Sequence, residues 1–134
     1  MQRWLLETAY RALENGTLPL RRQSGVIGLT RVIAGISMSD VYGSSTAVYT
    51  GSFSMDYMLQ LCRDPENAPK YTALGLGLSM LANRLSWFYN LRGPSIGLDT
   101  ACSSSAAGID LAFQALRNRS CDMASHLLSP RGTV

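Results

Sequence analysis

Residues 103–118 carry one charge, Asp110, before Arg117. Ala106, Ala107, Leu111, Ala112, Phe113, Ala115 and Leu116 fall nearly all round a 3.6-residue period, leaving no broad polar face. A helix of this kind is expected to be buried on most of its sides. Charged residues make up 16% of the whole chain, against about 25% in an average soluble domain, so other elements are expected to be covered on more than one side too. The 134 residues suit one domain or part of a larger one, and a chain of this size buries roughly 70% of its unfolded surface.

Around that helix the pattern alternates short strands with helices. Residues 1–15 read as a helix with Trp4, Leu5, Ala9, Ala12 and Leu13 on one face, closed by Gly16 and then Pro19. Thr46-Ala47-Val48-Tyr49-Thr50 is a strand ending at Gly51, and a helix follows over residues 55–63. Residues 64–69 hold two prolines and read as a loop. Residues 78–89 form a helix with Leu78, Leu81, Leu85 and Phe88 in register, stopped by Gly93 and Pro94. Residues 95–101 read as a strand. Residues 22–45 sustain no period, and residues 125–134 show no clear element. The fold class expected is α/β.

Several functions are excluded early. Eleven arginines and Lys70 against nine acids give a net charge of +3, but the arginines are scattered and make no nucleic-acid footprint. No run of about 18 apolar residues crosses a membrane, and the N-terminus lacks a signal-peptide layout. The expected class is an intracellular, cytoplasmic protein. Three cysteines, Cys62, Cys102 and Cys121, form no disulfide framework, and Cys121 with His126 lacks the second pair a four-ligand metal site needs.

Cys102 is the candidate catalytic residue. It stands between the strand at 95–101 and the helix at 103–118, where a thiol faces the unpaired N–H groups and the positive end of a helix. Both stabilise a thiolate, the form that attacks an acyl group, and backbone N–H groups at such a turn can receive an oxyanion. Ala101, Ser103, Ser104 and Ser105 are small enough for a tight turn and for a substrate to approach. A buried structural cysteine fits the same residues, and local physics leaves both readings open. Gly93-Pro94-Ser95-Ile96-Gly97 also matches the G-x-S-x-G pattern of serine hydrolases, but that motif needs a strand before its serine and a helix directly after. Here a loop precedes Ser95 and a strand follows, and the one histidine, His126, has no evident pairing with it.

A family resemblance bears on that choice. The helix Gln2-Arg3-Trp4-Leu5-Leu6-Glu7-Thr8-Ala9-Tyr10-Arg11-Ala12-Leu13-Glu14 and the run Tyr49-Thr50-Gly51-Ser52-Phe53-Ser54-Met55-Asp56-Tyr57 resemble segments of β-ketoacyl synthase domains. So do Asn83-Arg84-Leu85-Ser86, Leu91-Arg92-Gly93-Pro94-Ser95 and Asp99-Thr100-Ala101-Cys102-Ser103-Ser104-Ser105. The wording is most similar to ketosynthases of fungal-type, iterative, reducing polyketide synthases. The resemblance implies a partial thiolase-like fold, the N-terminal half of a ketosynthase domain, working as a homodimer with the strand at 95–101 near the dimer interface. It implies that Cys102 takes an acyl group from the phosphopantetheine of an acyl carrier protein, for attack by a decarboxylated malonyl unit. No cofactor is expected on this chain itself.

The sequence also departs from the family. Met1 falls inside the first helix motif, and residues 22–39 have no counterpart and read as an insertion within a partial domain spanning 1–134. After Cys121-Asp122-Met123-Ala124 the family continues as a short apolar strand ending in glycine; Ser125-His126-Leu127-Leu128-Ser129-Pro130 reads as if that strand were deleted. The family's two catalytic histidines, its lysine and its glycine-rich loop have no match in these residues. His126 reads as a surface or tail histidine outside the chemistry. The expectation is therefore a truncated ketosynthase piece, incomplete alone, with a non-catalytic module that docks on a synthase or carrier protein as the alternative.

Overall fold

A computed structural model describes residues 2–14, 38–53, 56–64, 66 and 69–128. The order is α1 (Gln2–Glu14), α2 (Met38–Val41), β1 (Thr46–Gly51), α3 (Asp56–Leu61), α4 (Thr72–Leu76), α5 (Ser79–Phe88), β2 (Ser95–Leu98), a 3-10 turn (Ala101–Ser103), α6 (Ser104–Arg117) and β3 (Met123–Leu128). Of the segment expected as an insertion, residues 22–37 lie outside the described residues.

The three strands form a parallel sheet in the order β2-β1-β3. β1 sits in the centre and is buried along its whole length, which is why Thr46-Ala47-Val48-Tyr49-Thr50 reads without polar alternation. Chain order 1-2-3 and spatial order 2-1-3 make the two crossovers run in opposite directions. Right-handed connections then put their helices on opposite faces.

The side chains of β1 sort accordingly. Val48 joins Leu5, Ala9, Leu81, Ala82, Leu85, Tyr89 and Leu127 in a core between the sheet and the pair α1 and α5. Ala47 and Tyr49 point the other way, into a core with Ala112, Ala115, Cys121 and Ala124 under α6. Small residues at 47, 112, 115 and 124 let α6 lie close to the sheet. The sheet is thus covered on both faces, as an α/β arrangement requires.

Five expectations need correction. β3 is present over Met123–Leu128, paired in register with β1 from Thr46↔Met123 to Gly51↔Leu128, so the strand expected to be deleted is formed. Ser125 and His126 disguise it by breaking the apolar run expected of a buried strand. His126 is correspondingly no surface residue: it is 6% exposed. α6 buries only the stripe Ser104, Gly108, Ala112 and Ala115, while Phe113 is 51% exposed, because among the described residues only the sheet covers it. In α1 the buried residues are Leu5 and Ala9 with Leu6 and Leu13 packed beside them, and Trp4 is 60% exposed. In α5 the buried residues are Leu81, Ala82 and Leu85, and just past its end Tyr89 is buried in place of Phe88, which is exposed.

Candidate active site

The carboxyl ends of parallel strands are where α/β sheets place their sites. Here the Ser52 N–H donates to the Leu98 carbonyl at 3.1 Å, tying the ends of β1 and β2 together. β2 stops at Leu98, three residues short of the expected end. The Asp99 carboxylate accepts the Ala101 N–H at 3.2 Å, turning the chain away from the sheet in an Asx turn. Ala101 takes φ +51°, a left-handed conformation uncommon for a residue with a Cβ.

Side chains on both sides of Cys102 hold that turn. The Ser103 hydroxyl donates to the Thr100 carbonyl at 2.7 Å. The Ser104 hydroxyl accepts the Thr100 N–H at 2.9 Å and donates to the Ala101 carbonyl at 2.8 Å. Ser104 is 3% exposed, so these bonds work where water does not compete. Asp99, Ser103 and Ser104 therefore do more than leave room: their hydrogen bonds fix the backbone around residue 102.

Cys102 itself is exposed, in the 3-10 turn leading into α6. Cys62 is exposed as well, in the turn after α3. Cys121 is buried, and burial pushes its thiol up from the ordinary value, with Asp122 adding to the rise and a hydrogen bond with the Ala47 backbone opposing it. A buried thiol with a raised pKa is a poor nucleophile. Among the three, only Cys102 combines exposure with a place at the strand ends and a helix start.

Glycines set how closely the layers meet here. A Cβ on Gly51 would come within 2.9 Å of Leu128 Cδ2 and 3.0 Å of Ser104 Cβ, so the bare backbone at the end of β1 seats the first turn of α6. Beside it, the buried hydroxyls of Thr50 and Ser52 find no hydrogen-bond partner among the described residues. The serine-hydrolase pattern fails on geometry: Ser95 opens β2 and donates to Asn83 Oδ1 at 2.8 Å. His126 lies on the far side of β1, about 10 Å away by strand spacing.

The burial of His126 was not legible in the sequence. Its ring lies against α6, and burial lowers its pKa from the ordinary value, with the Ser104 backbone opposing the shift. A proton then binds the unfolded chain more readily than the folded one. Stability should be full above the ordinary histidine value near 6.5 and fall as pH drops below it. Urea midpoints measured across that range should decline on the acid side for the native chain and decline less for His126→Asn. The available signal was Gly108, a helix-weakening glycine in the middle of an alanine-rich run.

Residues 1–125 match the family described as the N-terminal domain of β-ketoacyl synthases. The chain belongs to the β-ketoacyl synthase family. A highly reducing polyketide synthase of Didymella fabae is 44% identical over 123 residues, covering 92% of this chain and 6% of that protein. A hybrid polyketide synthase–nonribosomal peptide synthetase of Aspergillus terreus is also 44% identical, over 122 residues and 16% of its length. The chain thus spans a small part of these relatives. Among solved structures, the ketosynthase from module 6 of the bacillaene synthase of Bacillus subtilis superposes with a TM-score of 0.69 at 30% identity, over 98% of this chain and 18% of that one. An oxazolomycin ketosynthase domain of Streptomyces albus gives 0.64 at 29% identity, over 92% of this chain and 18% of that one. The thiolase-like α/β expectation and the resemblance to reducing polyketide synthases both stand. Among the described residues no helix is long and apolar enough to cross a membrane.

Proposed function

We propose that this chain supplies the acyl-accepting part of a polyketide ketosynthase, with Cys102 as the nucleophile. The Cys102 sulfur attacks the carbonyl of an acyl thioester carried on the phosphopantetheine of an acyl carrier protein. The carbon–sulfur bond to the carrier breaks, acyl-Cys102 forms, and the thiol proton ends on the departing carrier thiol. The carrying observation is the exposed thiol in a hydrogen-bonded turn between the end of a parallel strand and α6. Three unpaired cysteines are in keeping with a reducing cytoplasm.

Condensation needs more than an acyl-cysteine. Polarising a malonyl thioester and stabilising its enolate call for positioned acid–base groups. The one histidine in these residues, His126, is enclosed beneath α6. We therefore assign residues 1–134 the acyl transfer and not the carbon–carbon bond, with residues 22–39 as an insertion in the domain and a second copy of the domain as its partner. Incubating the chain with an acyl thioester of a truncated phosphopantetheine should give one acyl mass increment that hydroxylamine removes. Adding malonyl thioester should yield no β-ketoacyl product. Absence of any adduct, with binding to a carrier protein retained, would favour a docking module instead.

A further inference from the structure

The ring of His126 is gripped by the same helix that begins beside Cys102. A Cβ built on Gly108 would lie 2.2 Å from His126 Cδ2 and 2.3 Å from Nε2, so ring and helix backbone meet with no room for a methyl group. One turn earlier on the same buried stripe is Ser104, seated on Gly51. Two close contacts, Ser104 on Gly51 and Gly108 on His126, thus set the height of the start of α6 above the sheet. Ser104 in turn holds Thr100 and Ala101, the residues leading into Cys102.

We propose that His126 is a positioning residue for the turn carrying Cys102, acting through Gly108 and Ser104 of α6. This rests on the reading of Cys102 as acyl acceptor. Close-packed interiors transmit a displacement instead of absorbing it, and a helix carries it along its axis from Gly108 to Ser104. The ring also interacts with the Ser104 backbone, while its buried Nε2 has no hydrogen-bond partner of full geometry. Adding a proton there places a charge in a site with no counter-ion among the described residues, which is costly. On β1 the register partner of His126 is Tyr49, whose pKa burial raises above its ordinary value. On α6 the charged side chains are Asp110 and Arg117, both exposed. Cys121 and Asp122 precede β3 in the chain. Acidification should therefore loosen the seat of α6 and, with it, the turn.

The cysteines supply the test. The 134-residue chain is treated with iodoacetamide and the labelling rate of each cysteine is read by peptide mass spectrometry. Cys62, exposed and distant in sequence, is the internal reference, and buried Cys121 reports unfolding. His126→Ala and Gly108→Ala should each lower the Cys102-to-Cys62 ratio about fivefold while Cys121 stays protected. Leu127→Ala, which opens the core on the other face of β3, should leave the ratio unchanged. As pH is taken below about 6.5 the native ratio should fall relative to that of His126→Asn, a comparison in which the ionisation of the two thiols cancels. An unchanged or raised ratio in both variants overturns the proposal. Should a variant expose Cys121, the native pH profile decides, and a native profile that parallels that of His126→Asn down to the acid unfolding limit overturns it. Alkylation needs no acyl transfer, so a chain that responds here yet forms no acyl adduct would refute the function and leave the brace standing.

Discussion

Gly93→Ala should cost the fold about 3 kcal/mol or more. A Cβ at position 93 would sit 2.4 Å from the carbonyl carbon of Thr46, 2.5 Å from its oxygen and 2.6 Å from the Ala47 nitrogen. Those are backbone atoms at the start of the central strand, so no rotamer change relieves the contact. Retreat of residue 93 would stretch the hydrogen bonds from the Arg92 N–H to the Ser44 carbonyl at 2.9 Å and from the Val48 N–H to the Pro94 carbonyl at 2.7 Å. Overpacking of a flexible core costs about 1–3 kcal/mol, and a backbone clash belongs at or above the top of that range. Set against a total stability of roughly 5–15 kcal/mol for a folded domain, the loss is large. Urea titration followed by far-ultraviolet circular dichroism should show a midpoint lowered by the equivalent of about 3 kcal/mol or more, or no sigmoid at all. A midpoint within experimental scatter of the native one would mean that Gly93 does not lie against β1 as described.

Cys102→Ala should abolish acyl transfer while leaving the fold intact. The side chain is exposed and makes no described packing contact in either core, so its removal costs little stability. The turn is held by Asp99, Ser103 and Ser104, all retained in the variant. Loss of a covalent nucleophile leaves only background reaction, and the acylation rate should fall about a thousandfold or more. Cys62→Ala, which removes the other exposed thiol, should change the rate less than twofold on the same grounds. Equal losses in the two variants would show that exposure alone, and not the turn at the strand ends, governs reaction.

Much of this architecture was legible in the residues. β1 announced itself through the uncharged run Thr46–Thr50 closed by Gly51, α1 and α5 through their periodicity, and α6 through apolar residues nearly all round the helix. The Asp-Thr-Ala-Cys-Ser-Ser-Ser run located the turn, although the role of each hydroxyl became visible only with its partner in space. β3 was hidden because His126 breaks its apolar run and fits beneath α6 only where Gly108 leaves the helix backbone bare. That pairing, Gly108 with His126, joins residues 18 positions apart and leaves no periodic trace. Tertiary covering was the other blind spot. An apolar helix surface predicts burial, but which side is covered depends on the layers present, and Phe113 remains exposed beside the buried Ala112.

On the proposed function, the turn between β2 and α6 makes Cys102 the acyl acceptor. The most direct measurement of that role is the distribution of acyl groups over the three cysteines after partial reaction with an acyl thioester, read by peptide mass spectrometry at neutral pH. The acyl group should be found on Cys102, with exposed Cys62 lagging at least about tenfold and buried Cys121 unmodified. Equal acylation of Cys62 and Cys102, or a folded chain acylated at neither, would contradict it.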